Sequence, residues 1–207
     1  MKLIDLVQGT PEWHEFRRKH IGASECAAIM KGGCAALHVY KSKEPDYLDE
    51  TNAAQFHGQK TEGEARDFFK FKHDIEWIPV VGEHEDYPWM SASLDGWDGF
   101  TVLEIKCPVS EERFAKIKIT DEAPKDYIWQ VQHQLCVSEA KAAILAFYFK
   151  QDTGIQTHEI CIAPDPEMIK SLIEKERVFW FDNILAKVPP EYTPRHSKRG
   201  TRLSGVA

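Results

Sequence analysis

Two rhythms of apolar and polar positions alternate along the chain. Thr10-Pro11-Glu12 opens the first helical stretch: threonine caps, proline suits the first turn, and the acid suits the helix dipole. That helix carries Trp13, Phe16, Arg17 and Arg18 and stops near His20-Ile21-Gly22. A second start at Ala23-Ser24-Glu25 leads into Cys26-Ala27-Ala28-Ile29-Met30 and ends at Gly32-Gly33. Residues 44–50 form a polar connection, and a long helix is expected over 51–72. The pattern then shifts to short apolar runs between turn residues, predicting strands at 75–81, 89–94 and 101–107, the last closed by Pro108. Helices are expected at 111–119 and 124–138. Strands follow at 142–149 and 155–162, joined by Asp152-Thr153-Gly154. Asp165-Pro166-Glu167 starts a last helix reaching about residue 186. This order predicts an α/β fold, a mixed sheet flanked by helices, without internal repeats.

Composition narrows the function classes. At 207 residues the chain is one domain's worth, and its 43% hydrophobic and 29% charged content is ordinary for a globular protein. A net charge of −7 argues against coating nucleic acid with the whole surface, though not against a local basic groove. The five cysteines are odd in number and form no C-x-x-C pair, and the nine histidines are dispersed. This reads as thiols in a reducing compartment, not a disulfide frame, zinc site or iron–sulfur centre. No P-loop or dinucleotide fingerprint is present. With no signal peptide and no apolar run long enough for a bilayer, the expected location is the cytoplasm.

The candidate chemistry lies in residues 94–106, LDGWDGFTVLEIK. Strand alternation puts Glu104 and Lys106 on one face while Leu103 and Ile105 enter the core. Asp98-Gly99 reads as a two-residue type I′ hairpin, which pairs Ser93 with Glu104 and Asp95 with Val102. Asp95 is then a diagonal neighbour of Glu104, at about 7–8 Å. A one-residue slip would move Asp95 to the opposite face. Two carboxylates beside an ammonium suit Mg²⁺, which stabilises charge on a phosphoryl group, while the lysine holds or deprotonates a water. A solvated hairpin with scattered charges is the plainer alternative.

Other positions gain weight from context. Ser24, at a helix N-terminus, offers a hydroxyl and free N–H groups to an anion, and Arg17 could clamp the same phosphate. Taken alone, the pair reads more readily as a simple cap and a surface arginine. Glu62 lies between Gly58 and Gly63 in a helical pattern where close approach is plausible. Gln130 shares a polar helix face with Tyr127 and Gln134, opposite a stripe of Ile128, Val131 and Leu135. Residues 83–86, EHED, read as a solvated turn whose His84 is a candidate neighbour of the metal site. The tail beyond Pro189-Pro190, with Arg195, Lys198, Arg199 and Arg202, reads as a basic, weakly ordered extension over 189–207, following a single domain over 1–188.

Together these pieces resemble the lambda-type phage exonucleases, the YqaJ-like viral recombinase nucleases of the PD-(D/E)xK superfamily. The resemblance runs in order through Gln8-Gly9-Thr10-Pro11-Glu12-Trp13, Arg17, Ile21-Gly22-Ala23-Ser24-Glu25 and Gly58-Gln59-Lys60-Thr61-Glu62. It continues through Ser93-Leu94-Asp95-Gly96, Leu103-Glu104-Ile105-Lys106-Cys107-Pro108 and Gln130-Val131-Gln132. It implies a restriction-endonuclease-like fold. Asp95, Glu104 and the Ile105 carbonyl would hold Mg²⁺, with Glu62 near a second metal and Mn²⁺ able to substitute. Lys106 would activate the water, Gln130 would place it, and Arg17 and Ser24 would take a 5′-terminal phosphate. The implied activity is 5′-to-3′ digestion of linear double-stranded DNA to mononucleotides, leaving a 3′ single strand for recombination. A homotrimer ring and a single-strand annealing protein are the implied partners. Leu94-Asp95 replaces the usual Pro-Asp, and Gln134 stands where the wider group has tyrosine, which weakens the carry-over to Gln130. A structure- or site-specific endonuclease and a catalytically silent DNA-end-binding module are the competing readings.

Overall fold

The computed structural model describes residues 1–45, 47 and 53–191, with 53–60 described by their backbone only. The Gly58-Gln59-Lys60 side chains, the start of the long helix and the basic tail beyond residue 191 lie outside the described residues. Seven strands form one mixed sheet: β1 (Lys2–Ile4), β2 (Ile21–Gly22), β3 (Ile78–Glu83), β4 (Met90–Trp97), β5 (Thr101–Lys106), β6 (Ala142–Gln151) and β7 (Gly154–Ile162). Six run in the order β1-β3-β4-β5-β6-β7, and β2 pairs in parallel with the start of β4. The helices are α1 (Pro11–Arg18), α2 (Ala23–Lys31), α3 (Gly33–Ser42), α4 (Ala53–His73), α5 (Glu111–Thr120), α6 (Lys125–Ser138) and α7 (Pro166–Val178), which continues as a π-helical stretch, Phe179–Leu185. Because β5 and β6 are parallel, their connection must cross over, and α5 and α6 supply that crossover. Among the described residues no helix is long and apolar enough to cross a membrane.

Both faces of the sheet are covered, so β5 feeds two cores by alternation. Val102 packs with Leu94, Leu145 and Phe147 beneath Cys26, Val131, Leu135 and Leu172 of α2, α6 and α7. Leu103 and Ile105 face the other way, against Ala146, Tyr148, Trp77 and the α4 residues Ala65 and Phe69. A fully buried side chain of this size contributes about 1.5–3 kcal/mol relative to exposure, which locks the facing of Glu104 and Lys106.

Five strands were expected and seven are present among the described residues, because β1 and β2 are too short to show alternation. Helix α3 was not expected either. Gly32 and Gly33, with φ of 71° and 58°, read as a stop. They turn the chain so that Ala36 and Val39 can bury against Ile21, Ile29 and Phe179. The strand expected at 75–81 starts later: Ile75 closes α4 by donating to the Lys70 carbonyl, and pairing begins at Ile78.

The β4–β5 register also differs from expectation. Gly96 pairs with Leu103 and Trp97 with Val102, a shift of two residues. Asp98 is not in the left-handed region that a type I′ turn needs; only Gly99 is, with φ of 97°. Asp98 instead accepts the N–H groups of Phe100 (2.8 Å) and Thr101 (2.7 Å), building a longer Asx-type loop. A two-residue shift preserves facing, so Asp95 comes opposite Glu104 when the register is extended, not diagonal to it. On the other side, the β3–β4 register slips between Ile78 and Val80: Ile78 pairs with Trp97 and Val80 with Leu94. Three steps of β4 thus answer two of β3, a bulge at Asp95-Gly96. It explains why Leu94 and Trp97, three apart, both join the α6-side core.

A candidate metal centre and phosphate cleft

The β4–β5 ladder ends at Gly96 and Leu103, and the next residue on each strand is acidic. Asp95 turns its Oδ2 to accept the Ile105 N–H at 2.7 Å. Glu104 is 3% exposed and carries three donors: Lys106 Nζ at 2.6 Å and Gln130 Nε2 at 2.7 Å on Oε1, and Gln134 Nε2 at 2.5 Å on Oε2. Lys106 also donates to Gln130 Oε1 at 2.9 Å, closing a ring of contacts, and its ammonium lies 4.8 Å from the Tyr127 ring centre. Arg113 donates to the Tyr127 hydroxyl at 2.6 Å. Glu62, on α4, receives Arg66 at 2.7 Å.

The electrostatics of this patch are unbalanced. Withdrawal from water, then repulsion from Glu104 and Glu62, holds the Asp95 carboxyl well above the usual range; Lys106 and the Ile105 N–H offset only part. Burial pushes Lys106 down, but the charge and hydrogen bond of Glu104, with Asp95 behind, hold it above its ordinary value. Lys106 is therefore an ammonium tied to Glu104. Carboxylate oxygens in excess of the adjacent positive charge fit a hard divalent cation that retains some of its waters. The nearby Cys107 is no thiolate ligand, since burial, Asp95 and Glu62 push it up to about 12. The expected site residues Asp95, Glu104, Lys106 and Gln130 thus lie together, Glu62 acts on Asp95 through its charge, and Ile105 sits between Glu104 and Lys106 in β5.

A second constellation abuts the first. Arg17 Nη2 donates to Ser24 Oγ at 3.0 Å, and its guanidinium lies 4.7 Å from the centre of the Trp13 ring. Helix α1 is pinned to β4 just before Asp95: Trp13 Nε1 donates to Ser93 Oγ at 2.8 Å, and Gln8 Nε2 to the Leu94 carbonyl at 3.0 Å. Glu25 caps the start of α2 by accepting the Gly22 N–H at 2.9 Å. Ser24 of α2 and Tyr127 and Gln130 of α6 line one cleft of about 270 Å³, with Lys31 at its wall.

Sequence reading missed Lys43. Its ammonium donates to the Arg17 carbonyl (2.9 Å), the His20 carbonyl (2.7 Å) and the Glu25 carboxylate (2.6 Å), tying α3 beneath the Arg17–Ser24 pair. Burial lowers its pKa, partly countered by Glu25. A lone lysine in a polar stretch gives no signal of this. Of the polar face assigned to α6, Tyr127 and Gln130 are half-buried and Gln134 is 0% exposed, as is its neighbour His133. His133 lies 2.9 Å from Glu176 Oε1 and 3.0 Å from the Ser91 carbonyl. With Cys26 they form a buried group whose ligand atoms all fall within 4.8 Å of one another. Both ring nitrogens of His133 face oxygen acceptors, which accounts for the group as a buried imidazolium–carboxylate pair. His84 is not part of the acidic patch: its Nδ1 accepts the N–H groups of Asp86 (3.0 Å) and Tyr87 (3.3 Å). Residues 83–86 are correspondingly tied down, with Glu83 bonded to His20 at 2.9 Å.

Comparison with known proteins bears on the fold and the family. The fold is similar to that of an alkaline exonuclease from Laribacter hongkongensis, at a TM-score of 0.75 and 21% identity over 86% of this chain and 94% of that one. It is also similar to a phage-related exonuclease from Haemophilus somnus 129PT, at a TM-score of 0.61 and 14% identity over 81% of this chain and 96% of that one. In sequence it is 25% identical over 194 residues to the uncharacterized protein YqaJ of Bacillus subtilis, covering 86% of this chain and 58% of that protein's length. Residues 12–141 match the model of the YqaJ-like viral recombinase domain. The chain, in which that match spans the acidic patch and the cleft lined by Ser24 and Gln130, belongs to the YqaJ-like viral recombinase domain family.

Proposed function

We propose that this protein is a divalent-metal-dependent exonuclease that digests linear double-stranded DNA from a 5′ end, releasing mononucleotides and leaving a 3′ single strand. The observation that carries the reading is the shared cleft: Ser24, bonded to Arg17, and Gln130, bonded to Lys106 and Glu104, line the same space. A grip for a terminal phosphate and a group for orienting water then address one substrate end. Asp95, Glu104 and the Ile105 carbonyl would hold Mg²⁺, with Glu62 beside a second position. The bound metal would neutralise charge on the phosphoryl group and acidify a water. Lys106, an ammonium released from Glu104, would hold that water and stabilise the negative charge it gains as the metal acidifies it, while Gln130 fixes its direction. Arg17 would form a charge-assisted fork on the terminal phosphate, with the Ser24 hydroxyl and α2 N-terminus completing the anion site. A homotrimer ring and a single-strand annealing partner belong to the same proposal; light scattering of the purified protein tests the ring.

The test is a linear duplex 5′-phosphorylated on one strand, incubated with Mg²⁺ or EDTA beside Glu104→Ala and Lys106→Ala. Mg²⁺-dependent loss of the phosphorylated strand is expected, with both variants folded and inactive. Retained cleavage by either variant removes that residue from the mechanism. Internal cuts in closed circles point to an endonuclease, and binding without cleavage to an end-recognition module.

A further inference from the structure

Glu104 is gripped unevenly. Its Oε1 takes two donors, Lys106 Nζ and Gln130 Nε2, whereas Oε2 takes Gln134 Nε2 alone. The donors differ in their freedom. The Lys106 side chain is 22% exposed and Gln130 lines the cleft, so each has space and other partners when it lets go. Gln134 sits one helical turn further along α6 and is 0% exposed. Were it to release Glu104, its amide N–H groups would be stranded in the core. Its orientation is also dictated. An ionised carboxylate only accepts hydrogen bonds, so the amide nitrogen must face Glu104. The amide oxygen is consequently buried with no hydrogen-bond partner, a standing cost that the hold on Glu104 offsets.

We propose that Gln134 is the fixed anchor of Glu104, a positioning residue that aims Oε1 at the divalent cation, while Gln130 and Lys106 are the partners that exchange when the cation binds. The proposal rests on the metal-dependent reading above and divides the labour of two glutamines one turn apart. Gln134 works through the ligand's orientation and Gln130 through the substrate side. Losing an outer partner of a metal ligand typically weakens metal affinity about 10–100-fold.

The experiment measures Mn²⁺ binding to the DNA-free protein by electron paramagnetic resonance and calorimetry, for wild type, Glu104→Ala, Gln134→Met and Gln130→Met. Gln134→Met is expected to bind Mn²⁺ about 10–100-fold more weakly and to regain turnover at saturating metal. Gln130→Met is expected to keep its Mn²⁺ affinity within about threefold and to stay slow at any metal concentration, because a ligand-orienting role is absent there. Thermal melts check folding. If Gln134→Met does not fold, Gln134→Asn, which keeps the amide but shortens its reach, carries the same expectation. Unchanged Mn²⁺ affinity in the Gln134 variant, or an equal loss in Gln130→Met, overturns the anchor assignment while leaving the metal site intact. Wild-type protein that binds no more Mn²⁺ than Glu104→Ala overturns the metal reading itself.

Discussion

Removing either partner of the His133–Glu176 pair is expected to destabilise the protein sharply, and removing both to restore most of the loss. The two side chains are 0% exposed and 2.9 Å apart, and the far ring nitrogen lies 3.0 Å from the Ser91 carbonyl. The pair thereby joins α6 to α7 and β4. Glu176→Leu leaves the imidazole without its carboxylate, and His133→Leu leaves a buried carboxylate whose Oε2 already lacks a hydrogen bond. Breaking a buried pair from one side costs about 3–5 kcal/mol, whereas exchanging the whole pair for well-packed apolar groups is close to neutral. At about 2–4 °C per kcal/mol for a chain of this size, each single variant should lose roughly 6–20 °C in Tm. Calorimetry on the wild type, both singles and the double closes the cycle. Burial alone would lower the His133 pKa, but Glu176 and the Ser91 carbonyl raise it above the ordinary value. A raised folded pKa means the contribution is complete below about pH 6.5 and is lost as pH climbs through the raised value. The stability of the wild type relative to the double variant should therefore fall with rising pH. Additive losses in the double variant would refute the paired-charge account. Release of a bound metal ion by Cys26→Ala, read by elemental analysis, would assign the group to a metal instead.

Three further outcomes follow from the geometry. Asp95→Asn should lose cleavage yet gain about 0.5–2 kcal/mol of stability in EDTA, since it relieves repulsion from Glu104 and Glu62; a lower Tm contradicts this. Arg17→Ala should reduce the preference for 5′-phosphorylated over 5′-hydroxyl ends by about 10–150-fold, the worth of a charged hydrogen bond of about 1.5–3 kcal/mol; competition between the two duplexes measures it. Lys43→Met should leave Glu25 unpaired and cost about 3–5 kcal/mol in thermal unfolding. In a double variant with Arg17→Ala, that stability loss should persist while end preference changes little further.

What the sequence revealed, and what it hid, divides along physical lines. Caps and punctuation act locally, so Thr10 and Asp165 marked their helices: each side chain accepts a backbone N–H from the first turn. Alternation in β5 is enforced by two cores, which made the facing of Glu104 legible. The hairpin was not legible in the same way. Asp98-Gly99 has the composition of a tight turn, but Asp98 uses its side chain to bond two backbone N–H groups and so selects a longer loop. Had that loop moved the register by one residue instead of two, Asp95 and Glu104 would have parted to opposite faces. The bulge at Asp95-Gly96 is equally silent in sequence, because its cause lies across the sheet, where β3 offers one step fewer between Ile78 and Val80. Long-range polar partners such as Lys43 for Glu25 and Gln134 for Glu104 are hidden for the same reason. A side chain's charge is written at its own position, but its counterpart comes from an element that only the fold brings near. The candidate centre therefore depends on two features that periodicity does not encode, an Asx-built loop on one side of β4 and a bulge on the other. They place Asp95 where the ladder opens, and a carboxylate there faces Glu104, whose partner Gln130 lines the cleft that holds Ser24.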